Sequence, residues 1–381
     1  MIMYPGNYWN YPDTVKSNGC FGTNLMLHDL YEQRSVNMRF DNSFLDRQRH
    51  QGDLKSDLLV NSYFNNQKQH ELYEALSISE NDLQTIDKKS DVHKFLLNKR
   101  KKPKWYSEKR IISGQAFFAS YALEIMTLLG VLALPYCYAG SPGNKALYLS
   151  QKMRNSPGKR LVDTAEFIIG VSTTGNLTTN PYGHIHINRT RLIHAIARYY
   201  VIKGAWDKEW GTPINQEDMA GTNLAFSYII LNGLRQSGFS ISEKQKEDFI
   251  YLWRYIGYQM GIEEDLLPNS YREAYLLKQK IELRNFRKSE EGIELTKELL
   301  RYYQSVAPPK EALFIQSQLS YFLGPKISGY LGLKKDVFKD RITEVANSIT
   351  ELKNYISKHE STFGTMLANQ QKLKTLMEQR G

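Results

Sequence analysis

The chain has 381 residues, 41% hydrophobic and 12% aromatic, ample for a real core in one large domain or two. Its formal net charge is +10, with a pI near 9.2. No nucleic-acid-binding module accompanies that excess, which argues against a nucleic-acid partner. The two cysteines, Cys20 and Cys137, make neither a disulfide framework nor a zinc knuckle.

Residues 1–52 are polar, rich in Asn, Tyr and Arg and weakly periodic, and read as an irregular arm. The first nine residues lack the basic region and apolar core of a signal peptide, so a cytoplasmic address is expected. Helical patterning begins near Asp53, with Leu54, Leu58, Leu59 and Phe64 on a shared face. Further helices are expected at 69–76 and 90–99. The run Lys99-Arg-Lys-Lys-Pro-Lys104 beside Trp105 and Tyr106 suits anionic lipid or nucleic acid, although a solvated linker explains it as well.

From Gly114 to Gly140 the one charge is Glu124. The stretch is long enough for a bilayer. Its Gln115, Glu124, Gly130 and Pro135, with no second candidate elsewhere, favour a buried hairpin and leave a shallow peripheral membrane contact open. After the Gly140-Ser-Pro-Gly143 turn, a helix is expected at about 144–153. Ser156 should cap the next helix, with Pro157 at its first position and a stop at Gly170. Residues 173–183 are a loop by composition. Asn188 then caps a helix that ends at Gly204. Asn215 with Asp218 starts a long helix that closes at Gly238. Helices at 242–261, 268–286 and 289–306 follow. In the tail, Phe338, Ile342, Val345, Ile349, Leu352 and Ile356 recur in heptad fashion, which suits packing in place or a homodimer. No strand alternation is convincing. The expectation is an all-α protein with a helical domain over 53–330 and an amphipathic tail over 331–381.

Chemistry concentrates in a few segments. Arg191, His194 and Arg198 place an imidazole between two guanidinium groups on one helical face. Two cations disfavour a protonated histidine, and a neutral imidazole is what a transition metal needs as a ligand. The arginines would suit haem propionates; a core histidine with ordinary arginine salt bridges is the plainer alternative. Arg160, Asp163, Thr164 and Phe167 share a stripe that is either a solvent face or a polar spot in an apolar cavity. In the latter case Asp163 is the acid/base candidate, with Arg160 and Thr164 to orient water or a bound oxygen species. His184 and His186, with Glu217 and Asp218, would make a non-haem iron site, but the Glu-x-x-His repeat of di-iron bundles is absent.

At three segments the chain resembles the oxygenase MpaB and latex-clearing protein family: Arg160-Leu-Val-Asp-Thr164, Arg191-Leu-Ile-His-Ala-Ile-Ala-Arg198, and Trp210-Gly-Thr-Pro-Ile-Asn-Gln-Glu-Asp-Met-Ala-Gly-Thr222. Lys104-Trp105 and Leu134-Pro-Tyr136 add to the likeness, which covers roughly 90–265. The resemblance implies a globin-related helical core with additional N- and C-terminal helices, holding haem b. It makes His194 the proximal iron ligand, Arg191 and Arg198 supports of the haem site, and Arg160 and Thr164 distal groups. Latex-clearing proteins carry a lysine just before that threonine; here the residue is Asp163, which puts a lysine-gated iron in doubt. Glu124 is the best counterpart of the family's distal glutamate base. The function implied is oxygen-dependent cleavage of an apolar, unsaturated, isoprenoid-like substrate by a haem oxygenase. A non-catalytic haem sensor or carrier and a non-haem metal protein are the alternatives.

Overall fold

The computed structural model describes residues 39–77, 90–150, 157–306 and 309–333. Most of the expected arm, Ser156 and the heptad-like tail from Phe338 onward lie outside the described residues. Within them the chain is helical and forms no strand. In order the helices are α1 (Asn42–Arg49), α2 (Leu54–Asn65), α3 (Gln69–Ser77), α4 (Asp91–Leu97), α5 (Glu108–Ser120), α6 (Ala122–Leu128), a π-helical turn (Leu129–Ala133) and α7 (Leu134–Tyr138). They continue as α8 (Gly143–Leu149), α9 (Pro157–Ser172), α10 (Tyr182–Lys203), α11 (Gln216–Phe226), α12 (Tyr228–Gln236), α13 (Glu243–Gln259), α14 (Tyr271–Asn285), α15 (Glu290–Val306) and α16 (Pro309–Tyr330).

Several boundaries follow from capping chemistry legible in the sequence. Ser90 accepts the His93 N–H, Asn215 the Asp218 N–H, and Ser242 closes a capping box with Gln245, each satisfying backbone donors that open a helix. Other boundaries differ. Helical structure begins inside the expected arm, where Asp41 caps α1 and Leu45 is fully buried. The helix expected from Asn188 starts at Tyr182, after Pro181. Asn188 is instead a buried mid-helix residue whose Nδ2 donates to the Leu96 (3.0 Å) and Asn98 (2.6 Å) carbonyls. The helix expected from 215 to 238 breaks at Ser227, whose hydroxyl donates back to the Asn223 carbonyl at 2.8 Å.

The apolar stretch is a bend rather than a hairpin: α5 and the α6–α7 rod meet at 79°. Among the described residues no single helix is long and apolar enough to cross a membrane, though this bent pair passes by length and composition. α5 packs along α13. The pairing is close enough that a Cβ on Gly114 would stand 2.6 Å from the Asp248 carbonyl oxygen, so only glycine fits there.

Two apolar clusters organise the molecule. The larger runs through α5–α7 and α11–α16. The smaller joins Val60, Leu72, Phe95 and Leu96 of α2–α4 to Ile185, Leu192 and Ile196 of α10. Each such buried side chain contributes about 1.5–3 kcal/mol. Because Ile187 belongs to the larger cluster, α10 lies where the two cores meet.

Candidate active site at the α9–α10 seam

α9 and α10 pack together, joined by the loop 173–181. The seam is tight at its closed end. A Cβ on Gly170 would come within 2.2 Å of the His186 ring, so the imidazole lies directly on the α9 backbone. His186, Thr190 and His194 are spaced four apart on α10 and run down one stripe. On α9, Asp163, Phe167 and Gly170 are likewise spaced by four and three. His194 lies eight residues beyond His186 on α10, and Arg160, Asp163 and Thr164 lie six to ten residues before Gly170 on α9.

His194 is half-buried, with its Nδ1 shielded from solvent. Arg160 Nε is buried and has no acceptor among the described residues. Burial lowers the pKa of that guanidinium, against the opposing pull of Tyr138, Cys137 and Asp163. It remains a cation throughout the physiological range. Thr164 commits its hydroxyl proton to the Arg160 carbonyl at 2.7 Å. Asp163 pairs with Lys159 at 3.2 Å on the open side of the helix.

Arg191 and Arg198, on the same helical face as His194, are held by the carboxylates of Asp53, just before α2, and Asp57, within it. Arg191 makes a two-pronged bridge to Asp53 (Nε–Oδ2 2.7 Å, Nη2–Oδ1 3.0 Å), and its Nη1 donates to Asn188 at 3.3 Å. Arg198 bridges Asp57 at 2.7 Å and donates to the Ile214 carbonyl at 3.0 Å. Its Nη2 is buried with no acceptor among the described residues. Burial pushes the Asp53 carboxyl up, but the Arg191 hydrogen bonds and charge outweigh it and hold the group below its usual value. At Asp57 burial prevails over Arg198 and the group sits above its usual value. Sequence reasoning did not reach Asp53 and Asp57 as partners of the motif. Their spacing of four matched to arginines seven apart was the available signal.

Glu124 is half-buried on α6 and has an interaction partner there. α6 packs mainly on the π turn, α12 and α5. The non-haem iron site is not assembled. His184 is buried with its Nε2 3.5 Å from the Tyr255 hydroxyl. Burial, then the Lys99 charge, holds it down to about 4. Glu217, fully buried on α11, accepts from Arg49, Arg284 and Asn285. Asp218 is pushed up to about 6 by burial. Among the described residues no three His, Cys, Asp or Glu stand together as a metal site.

The region containing this seam has recognisable relatives. Residues 114–346 match the family model described as ER-bound oxygenase mpaB/B'/Rubber oxygenase, catalytic domain. The chain belongs to this oxygenase family. Its fold is similar to that of latex clearing protein LCP, solved in the closed state, with a TM-score of 0.69 at 18% identity over 85% of this chain and 90% of that one. No curated protein matches the chain. As a member of the MpaB and rubber oxygenase family, the protein is of the oxidoreductase class, and Arg160, Asp163, Thr164, Arg191, His194 and Arg198 all fall inside the matched region.

Proposed function

We propose that the chain is a haem b-dependent oxygenase that uses O2 to cleave an apolar, unsaturated, isoprenoid-like substrate, with His194 as the residue that would hold the haem iron. The observation that carries this reading is the seam itself. A half-buried imidazole sits on α10, which packs on α9, and α9 carries Arg160, whose buried Nε has no acceptor among the described residues.

The donor set fits haem. With no cluster of three protein donors among the described residues, a metal at His194 must bring its other ligands with it, as an iron porphyrin does. Of the two flanking arginines, Arg191 has each of its three guanidinium nitrogens engaged. Arg198 keeps Nη2 buried without an acceptor and is the one suited to a haem carboxylate.

When bound, haem supplies the oxygen activation that amino-acid side chains cannot. The chain's own residues orient and protect. The Arg160 guanidinium donates to, and stabilises, negative charge that develops beside α9. Thr164, its proton already given to the helix, offers lone pairs as an acceptor. Asp163, reached by solvent and tethered to Lys159, would pass a proton between the seam and water. Asp163 lies on α9, which packs on α10, and we assign it the proton-handling role. Arg191 and Arg198 act through α10: their bridges to Asp53 and Asp57 fix the helix that presents His194.

The visible spectrum of protein made with haem supplied, beside a His194→Ala variant, tests the reading. A Soret band in the wild type should be lost or displaced in the variant, and the wild type should consume oxygen in the presence of an apolar alkene. A wild type without haem after reconstitution removes the haem assignment. Haem binding without oxygen consumption removes the oxygenase and leaves a carrier or sensor.

A further inference from the structure

The net charge of the chain is concentrated in one place. Residues 94–110 hold eight Lys and Arg against a single acid, Glu108, an excess of seven in a chain whose total is +10. This stretch joins the end of α4 to the start of α5, and it is not a slack linker. The Arg100 N–H donates to Gln259 Oε1 at 3.1 Å, and the Tyr258 hydroxyl to the Lys101 carbonyl at 3.1 Å. Pro103 is buried. Trp105 donates its Nε1–H to Glu264 at 2.7 Å while the Arg254 guanidinium lies 3.8 Å over its ring.

The pinned backbone turns the two arginines inward and leaves the lysines out. Arg100 stacks 4.2 Å over Tyr258, and Arg110 bridges Asp248 at 2.9 Å. Lys99, Lys101, Lys102, Lys104 and Lys109 are all exposed. None of the five has an ion-pair partner among the described residues. At each edge stands an exposed apolar side chain that shares its helix face with a lysine three residues earlier: Leu97 (42% exposed) with Lys94, and Ile112 (38%) with Lys109.

We infer that this loop and the adjoining faces of α4 and α5 dock on an anionic lipid surface. Unpaired lysines on a fixed backbone meet headgroup charge without an ordering cost, each adding to the attraction near the surface. Leu97 and Ile112 supply the shallow apolar contact that an interfacial site adds to charge. A nucleic acid is the poorer fit. The guanidinium groups that would fork onto phosphates are committed inward. The rings of Trp105 and Tyr106, which would stack on bases, are capped by Arg254 and Lys102. The inference does not depend on the oxygenase reading.

Co-sedimentation of the full chain with phosphatidylcholine vesicles, without and with about 30% phosphatidylserine at about 0.1 M salt, reads it directly. Binding to the anionic vesicles should be at least about ten-fold tighter than to neutral ones and should be released by about 0.5 M salt. The variant K99Q/K101Q/K102Q/K104Q should lose at least about ten-fold of that binding with its helical circular dichroism unchanged. If the variant misfolds, the salt and lipid dependence of the wild type decides alone. Equal binding to both vesicle types overturns the inference, as does a folded variant that binds like the wild type. So does a short DNA duplex that displaces the protein from anionic vesicles.

Discussion

The two flanks of α10 are held by different physics. Toward α2 the contact is ionic and buried: Arg191 and Arg198 are each at most 4% exposed and meet Asp53 and Asp57 at 2.7 Å. Toward α9 the contact is steric at one end, where His186 rests on Gly170, and open at the other, where Asp163 pairs with a solvent-facing Lys159. The Arg-x-x-His-x-x-x-Arg motif thus divides its labour. Its arginines anchor the helix through Asp53 and Asp57, and its histidine is half-buried between them in sequence. A charge buried in pairs holds position; a donor left over, such as Arg160 Nε or Arg198 Nη2, waits for a partner.

The most damaging way to break that contrast is to remove one member of the buried pair. Asp53→Ala leaves Arg191 charged and uncompensated, which should cost about 3–5 kcal/mol. A lower denaturation midpoint at unchanged slope reads this out. A loss below about 1 kcal/mol would mean that the bridge does not anchor α10.

A second test uses acid. The folded state keeps His184 neutral down to about 4, whereas the unfolded chain takes up that proton near 6.5. Unfolding is therefore favoured progressively as the pH falls from about 6.5 to about 4, by at most about 3 kcal/mol. Asp218, raised to about 6, works in the opposite sense, since the folded state binds its proton first and gains stability as the pH falls toward the ordinary carboxylate range. The difference between wild type and His184→Gln isolates the histidine. The variant's stability should fall less over that window, and profiles that run parallel would show that His184 is not held neutral.

The fold class and the motif residues were legible because they depend on local pattern. Serine and asparagine caps, helix-ending glycines and the spacing of Arg191, His194 and Arg198 are written within one or two helical turns. What was not legible depends on distance. Asn188 reads as a cap, yet it is consumed by the Leu96 and Asn98 carbonyls, about ninety residues away. Asp53 and Asp57 are separated from their arginines by 138 and 141 residues, so no local rule pairs them. The π turn at Leu129–Ala133 sits in an apolar run whose composition is compatible with plain α-helix.

The smallest effect belongs to the open flank and is the most discriminating. Lys159 and Asp163 form an exposed pair four residues apart, the kind that contributes only a few tenths of a kcal/mol. Lys159→Ala should therefore leave the melting temperature within about 1–2 °C of the wild type. It removes the tether on a carboxylate that we place in proton handling, and the pH profile of oxygen consumption should shift while haem content stays the same. An unchanged profile would assign Asp163 to the surface and return the search for a base to the seam's interior. A large loss of stability would mean that the open flank is as structural as the buried one.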